Sequence, residues 1–516
     1  MSEDKKPSGV KSRLKRILET VKSALLTLLF ISMTALVCVY IVRTQRMTLE
    51  SADTIDIGRM LTLRSGDDSF ISGFSAERVL PECVAVKIGG EGRAIMGGRG
   101  ILAGALSLLS DPLSAILSDA VPVTGIPEED VDAVWLACCS AKDSVYIRFR
   151  SPLPAPVLLL YISGGGEAEG ELTSASACYI EELFILPTEA SGDGSGIRGC
   201  RAVARDGYGN TFRIDGEGMT IDLPAIASYS TNSEFSGFVF AGAEESPSVL
   251  PALDLEDSAV VTRGESPQLC AVFTYDAAGS IKRSPEPILT LFGYNMSRIS
   301  KYEDPDDGSV IYIETWGNLR ISDDGVDFTS TGQRGGIDVS RWLPYGRAGG
   351  SYSIYELLHC AENFISGLAA VDPRLTGGDA QLYLRDIFIN PEGDITLSYR
   401  FIFDGINVIC GGRGIDISFG GGMIRNVSVK PLTAENQLTR LMNLSMARCF
   451  EGRAASASSG SGRVSLIYPA GSSGPDEQIS ARWAFVTQSG GESDLTVETI
   501  PDTLVPADSG ESGGGS

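Results

Sequence analysis

The sequence predicts an α+β protein: a single N-terminal transmembrane helix, then a multi-domain extracytoplasmic region of antiparallel sheets with packed helices. Three observations predict it. Residues Ala24–Val42 (ALLTLLFISMTALVCVYIV) run 19 residues without a charge. Behind them, stretches with helical apolar spacing are each followed by several runs with strand spacing, the pattern of helices layered on sheets. Turn pairs such as Asp206-Gly207, Asp307-Gly308, Asp324-Gly325 and Asp404-Gly405 separate the strand-like runs, as hairpin connections require.

The anchor comes first. At ~1.5 Å per residue, Ala24–Val42 reaches roughly 28 Å, about one hydrocarbon thickness. Lys5, Lys6, Lys11, Arg13, Lys15, Arg16 and Lys22 precede it, and only Arg43 and Arg46 follow before acidic residues dominate. The positive-inside bias assigns residues 1–23 to a cytoplasmic basic tail, 24–43 to a signal anchor and the rest to the cell exterior. A cleaved signal peptide fits poorly, because the apolar region is too long and no small-x-small site follows. A lipoprotein signal at Cys38 fits poorly too, with Val37 where a small residue is wanted. The expected location is the cell membrane, spanned once.

Charge sets the partner classes. Of a net −24, the residues up to Arg46 carry nine Lys/Arg against three Asp/Glu, so the remainder carries −30. An ectodomain that acidic repels DNA, RNA and anionic lipid at long range, which excludes nucleic acid as a partner; its plainest role is solubility. Nine of the ten cysteines follow the anchor, an odd number, with Cys138 and Cys139 adjacent and no CxxC or Cys/His metal spacing. Over so long a domain disulfides are not needed, so mostly free, buried thiols are expected. Three Asn-x-Ser sequons (Asn295, Asn426, Asn443) are of the frequency chance supplies.

Three extracytoplasmic units are expected: an α+β domain over 44–240, a β-rich domain over 241–345 and an α+β domain over 346–500, with a disordered Gly/Ser-rich tail at 501–516. In the first, Ile101–Leu109 begins a helical region broken at Asp111-Pro112. A second helix starts at Pro127, with Glu128, Glu129 and Asp130 in its first turn. Ser144–Phe149, Val157–Ile162 and Cys178–Leu186 read as strands, and a hairpin turns at Asp206-Gly207. The acidic, Pro-containing stretch Glu244–Asp257 marks a boundary. Ile288–Gly293, Val310–Thr315 and Leu319–Ile321 read as strands of the middle unit.

In the last unit, Ser353 and Glu356 form a capping box for a helix whose stripe is Ile354, Leu357, Leu358, Ala361, Phe364, Ile365 and Leu368. Asp372-Pro373 ends it. Gln381–Ile389, Ile395–Phe403, Gly414–Phe419 and Met423–Lys430 follow as strands. Thr433–Phe450 reads as a second helix, and Arg463–Tyr468 with Ala481–Thr487 as a last strand pair.

No residue set rises to an enzyme signature, and no cofactor, metal or catalytic residue is expected. The single histidine, His359, lies within the capped helix beside Leu358 and Cys360, which disfavours a catalytic triad or a His-based zinc site. Gly97-Gly-Arg-Gly100 with Gly104 is better explained by close helix packing than by a dinucleotide loop. Asp304, Asp306 and Asp307 suit an acidic hairpin turn better than a calcium loop. Carboxylate pairs of glycosidase type cannot be picked out among the 63 acidic residues beyond the anchor. The anchor itself offers a contact face: Thr27, Ile31, Thr34 and Cys38 share one side of the helix and would let another transmembrane helix approach. The alternative is that its hydroxyls bond their own helix carbonyls.

Several passages together resemble the YycH family of membrane regulators of an essential Gram-positive sensor histidine kinase. WLACCSAKDSVYIRFRSPLP (Trp135–Pro154) resembles the family's helix-then-strand passage. ILTLFGYN (Ile288–Asn295) with DDGSVIYIETWGNLRISDDG resembles its middle section. ITLSYRFIFDGINVI (Ile395–Ile409) and ARWAF (Ala481–Phe485) resemble its C-terminal sheet, which is similar to YycI and PepSY-type modules. The Gly/Ser insertion Ala454–Gly462 and the acidic tail depart from the pattern. The resemblance implies a non-enzymatic regulator of a two-component kinase controlling cell-wall homeostasis, with the kinase and a YycI-like co-regulator as partners. An anchored envelope-binding scaffold and an anchored hydrolase using Asp/Glu pairs are the competing expectations.

Overall fold

The computed structural model describes residues 73–118, 130–165, 178–188, 197–207, 209–214, 219–230, 236–243, 255–262, 266–275, 277–332, 335–343, 352–443, 462–470, 478–488 and 495–499. The expected anchor, its face Thr27, Ile31, Thr34 and Cys38, the helix start at Pro127, most of Ala454–Gly462 and the tail from 501 lie outside them. The described residues all belong to one compact unit.

The chain opens with the hairpin β1 (Cys83–Ile88) and β2 (Glu91–Ile95), then helices α1 (Arg99–Leu108), α2 (Ser110–Ser118) and α3 (Val131–Ser140). Strand β3 (Ser144–Pro154) runs into helix α4 (Ala155–Ile162). Strands β4 (Tyr179–Pro187), β5 (Ile197–Arg205), β6 (Thr211–Ile214) and β7 (Thr220–Asp222) follow, then helix α5 (Leu223–Ser230) and strands β8 (Ser236–Phe240) and β9 (Val260–Thr262). These strands form one antiparallel sheet in the order β6-β5-β4-β3-β1-β2-β8-β9, with β7 on β5.

The period of two decides what each face buries. Val145, Ile147, Leu183, Ile185, Ala202 and Ala204 belong to the main core with α1, α2 and α4. Their alternates Tyr146, Phe184, Leu186 and Val203 pack with Trp135 and Cys138 of α3 in a second core. The sheet is therefore covered on both sides, which explains why β3 is buried at nearly every position.

Strand β10 (Ser266–Thr274) and helices α6 (Ala277–Arg283) and α7 (Glu286–Phe292) lead to the meander β11 (Ser300–Glu303), β12 (Val310–Glu314), β13 (Gly317–Ile321) and β14 (Val326–Ser330). After the short β15 (Ile337–Asp338) comes the long helix α8 (Ile354–Val371). Then follow β16 (Gln381–Ile389), β17 (Ile395–Phe403), β18 (Ile406–Ile409), β19 (Gly414–Gly420), β20 (Met423–Lys430) and β21 (Thr433–Asn443). The last strands are β22 (Gly462–Pro469), β23 (Gln478–Ser480), β24 (Arg482–Gln488) and β25 (Leu495–Thr499). The large sheet runs β11-β12-β13-β14-β20-β19-β17-β18-β22-β24-β25, with β15 on β20 and β16 on β17, while β21-β10-β23 forms a small third sheet. Its β14–β20 pairing joins the middle and C-terminal sections directly, and β18–β22 is a parallel pair.

Helix α8 follows its sequence closely. The Ser353 hydroxyl accepts from the Glu356 backbone N–H at 3.3 Å and the Glu356 carboxylate accepts from the Ser353 N–H at 2.8 Å, closing the capping box. All seven stripe residues are buried. At the Asp404-Gly405 turn, φ is 47° and 69°, the type I′ geometry that a two-residue hairpin needs. That turn also serves α1. Gly98 has no side chain to cap the helix, and Asp404 stands in for it, its carbonyl accepting from Gly98 N–H at 2.7 Å and its carboxylate from Arg99 N–H at 3.1 Å.

Four expectations need correction. Thr433–Phe450 is not a helix over its described part; Thr433–Asn443 is a strand paired antiparallel to β10. The Leu438, Leu441, Met442 spacing suits a helix locally, but a partner more than 150 residues earlier, with a bulge at Leu269/Cys270 that absorbs two residues, overrides it. Val157–Ile162 is the helix α4, started by Pro156 in its first turn; a short uniformly apolar run has no period to separate helix from strand. Ile288–Gly293 is the helix α7, with Pro287 near its start and Gly293 at φ 90° as its left-handed C-cap. The break near Asp111-Pro112 falls earlier, at Leu109, because Pro112 fits the first turn of α2.

Among the described residues no single helix is long and apolar enough to cross a membrane. The pair α1 and α2, apolar together but bent by 62°, buries Leu102, Leu106, Leu113 and Ile116 in the main core.

Candidate functional site

Charged residues embedded in apolar strands build the centre of the molecule. Arg148 of β3 stands opposite Glu182 of β4 in register. Its guanidinium reaches Glu182 at 3.4 Å, Glu256 at 3.0 Å and Glu181 at 3.7 Å. Arg463 of β22 reaches Glu181 at 3.1 Å and Glu82 at 3.7 Å. The Tyr146 hydroxyl donates to Glu182 at 2.6 Å and the Ser258 hydroxyl at 2.9 Å. Burial opposes the charge on Arg148, but Glu182, Tyr146, Glu256 and Glu181 around it raise its pKa well above the guanidinium norm. Burial pushes the Glu82 carboxyl up, yet Arg463 and Arg148 override it and hold it below its usual value. Neither Glu82 oxygen accepts a direct hydrogen bond among the described residues.

This network ties the first sheet to the last strands, across more than 300 residues of chain. The cavity at its centre, lined by Glu82, Tyr146, Arg148, Arg463 and Ser465, holds about 10 Å³, the size of one water. Four carboxylates meet here, but a sugar ring or peptide cannot enter. As a hydrolase site this gathering is closed.

A second buried pair lies beneath α8. Glu362 is 6% exposed. It accepts from Arg78 Nε at 2.9 Å and from the Tyr161 hydroxyl at 2.7 Å. Arg150 is held differently, donating to the Pro81 and Gly405 carbonyls at 3.1 and 2.5 Å and to Asn407 at 2.7 Å. Both arrangements join β3, or the residues just before β1, to the C-terminal half of the chain.

Among the described residues a groove of about 230 Å³ opens on the α3 face of the first sheet. Its walls are Val134, Ala137 and Cys138 of α3 and Leu186 and Val203 of the sheet, and Arg201 and Arg213 line it beside them. Arg205, on the same face, stacks 4.1 Å over Trp135 and lies 4.0 Å from Glu182. Burial pushes the Cys138 thiol up to about 11, even though Arg201, Arg213 and Arg205 pull it down, so it stays protonated at neutral pH.

Of the singled-out residues that the structure describes, Cys138 lines this groove and His359, Asp304, Asp306, Asp307 and Gly104 do not. His359 packs edge-on to Phe74 at 5.4 Å and its Nδ1 lies 3.1 Å from the Asn363 side-chain nitrogen, a structural contact. The eight described cysteines are all buried thiols, Cys138 and Cys139 among them. Asp304, Asp306 and Asp307 form the β11–β12 hairpin turn: Asp304 accepts from Asp306 N–H at 3.0 Å, and Asp307 pairs with Arg320. The Ser309 backbone N–H, with Arg320, draws the Asp307 carboxyl down to about 2. No group of metal-ligating side chains occurs among the described residues. Gly104 does mark close packing, since a Cβ there would strike the Tyr229 ring.

Sequence reasoning missed the charged network and the arginine groove. The signal was present as Arg148 and Arg150 in SVYIRFRSP, Glu181-Glu182 in YIEELF, and the alternation Arg201, Val203, Arg205 in CRAVAR. Charges inside strands with both faces covered must be paired or line an opening.

No family model matches the chain, and no curated protein matches it. A solved structure, of an uncharacterized protein from Eubacterium rectale ATCC 33656, is 12% identical, covering 48% of this chain and 84% of that one with a TM-score of 0.26. A likeness so loose carries no argument about fold or function.

Proposed function

We propose that the chain is a membrane-anchored extracytoplasmic protein that works by contact, without catalysis, and that its contact modulates a two-component sensor histidine kinase controlling cell-wall homeostasis. The observation that supports the contact reading most is where the charged chemistry goes. The carboxylates and arginines at the centre are locked into networks joining distant segments, and the thiol in the open groove is held protonated. Such a body is stiff enough to transmit a binding event.

The kinase reading draws on the sequence: the basic flank, the uncharged 24–42 segment and the YycH-like passages. In this reading the anchor face Thr27, Ile31, Thr34 and Cys38 packs against a kinase transmembrane helix, and the ectodomain favours one kinase conformation, together with a YycI-like co-regulator. Differential binding of ~1–3 kcal/mol changes the active population several-fold.

Co-purification of the full chain with the kinase from solubilised membranes tests it. Thr27→Leu with Thr34→Leu is expected to weaken recovery; a parent chain recovered no better than one with a scrambled anchor counts against it. The envelope-binding scaffold is the second reading, favoured by the open groove, and predicts retention of the chain on purified cell wall.

A further inference from the structure

The arginine groove on the first sheet has the construction of a ligand site. In the β4–β5 ladder Leu186 faces Arg201, and in the β5–β6 ladder Val203 faces Arg213. Because side chains alternate, Arg201, Val203, Arg213 and Leu186 all project to the α3 side. Arg201 and Arg213 are thus diagonal neighbours on one face, both exposed. Two like charges in that position repel, and an anion between them relieves the repulsion. Neither forms an ion pair among the described residues, although the chain carries 66 acids against 42 bases. Arg205 shows the contrast: on the same face, it is engaged by Trp135 and Glu182.

The surroundings set the rest of the ligand. Val134, Ala137, Leu186 and Val203 give an apolar wall next to the two guanidiniums. Asp143, the acidic residue of the lining, accepts the Gly89 backbone N–H at 2.7 Å. Burial raises the Cys138 thiol and Arg201, Arg213 and Arg205 oppose it, as their placement on the same face of the sheet requires. A volume of about 230 Å³ suits a small molecule or one side chain and excludes a folded partner.

We propose that this groove binds a small organic oxyanion, its carboxylate or phosphate held between Arg201 and Arg213 and its short apolar body laid against Val134, Ala137, Leu186 and Val203. Guanidinium forks pair bidentately with either anion, so both sources share one chemistry. The inference goes beyond the kinase reading and stands whether or not a kinase is bound.

The test is calorimetric titration of the full chain in detergent with hexanoate, with phenyl phosphate, and with hexanol and phenol as uncharged counterparts. Saturable binding of at least one anion is expected, weakened by added salt and at least about tenfold weaker in Arg201→Gln and Arg213→Gln. Whichever anion binds more tightly names the source. Arg213→Lys should fall between, since it keeps the charge and loses the fork. Lys301→Gln, an exposed cation on another sheet, should bind as the parent does, which separates a site from net charge. Equal binding of the uncharged counterparts, equal binding by the glutamine variants, or a flat titration overturns the proposal; the last is expected if the chain's own carboxylates neutralise the pair. Both arginines are exposed, so the variants should melt within a degree or two of the parent, and that melting curve is the control for folding.

Discussion

Removing the carboxylate of Glu362 isolates a buried charge, and its consequence can be worked through. The Glu362 side chain is 7% exposed and that of Arg78 is 20% exposed, with 2.9 Å between them. Glu362→Leu leaves the guanidinium with the Leu382 carbonyl at 3.0 Å as its acceptor among the described residues and removes the carboxylate to which the Tyr161 hydroxyl donates. Breaking one side of a buried pair costs about 3–5 kcal/mol. Unfolding entropy is about 2.1 cal/mol/K per residue, so a unit of several hundred residues loses roughly 1 °C per kcal/mol. The expected fall in Tm is about 3–5 °C, read by differential scanning fluorimetry of the full chain in detergent. Arg78→Met alone should also destabilise. Arg78→Met with Glu362→Leu replaces the pair by apolar groups and should recover most of the loss, a coupling of about 3 kcal/mol or more. Simple addition of the two single losses would mean that neither charge depends on the other, the opposite of what a buried pair requires.

Three further outcomes follow from the same structure. Arg463 and Arg148 hold Glu82 below its usual value against the effect of burial, and Glu256 is lowered likewise. A folded-state pKa below the unfolded one stabilises above the unfolded value and the gain is lost as pH falls through the folded one. Tm should therefore hold from pH 7 to about 5 and drop below about 4.3, less steeply in Glu82→Gln; parallel pH curves for the two proteins would contradict this. The Cys138, Cys200 and Cys410 thiols are pushed up to about 11 by burial and Cys178 to about 12, so iodoacetamide at pH 8 should label these four slowly until the chain is unfolded, as mass spectrometry would show. Ser353→Ala removes the cap of α8 and should cost about 1 kcal/mol, read as faster hydrogen exchange in the first turn of that helix, with exchange elsewhere unchanged.

How much of this was legible depends on where the information lies. Helix α8 was readable entire, because its cap and its stripe are local, and Gln381–Ile389, Ile395–Phe403 and Met423–Lys430 agree end to end with β16, β17 and β20. Proline-led α4 and α7 were misread because a short apolar run satisfies either period, although Pro156 and Pro287 with Gly293 carried the helix signature. Strand β21 was not readable at all, since its partner β10 lies far away in the chain. The same holds for the site. Glu362 sits inside an apolar stripe and makes sense only opposite Arg78, and Arg201 and Arg213 come together only through the β4–β5–β6 register.

Control of a kinase by contact is read most directly from the kinase's own activity. Autophosphorylation of the purified sensor histidine kinase would be followed in nanodiscs with and without the full chain. A several-fold change in rate, in either direction, is expected, diminished by Thr27→Leu with Thr34→Leu. A rate unchanged at saturating chain, with both proteins in the same disc, would contradict it.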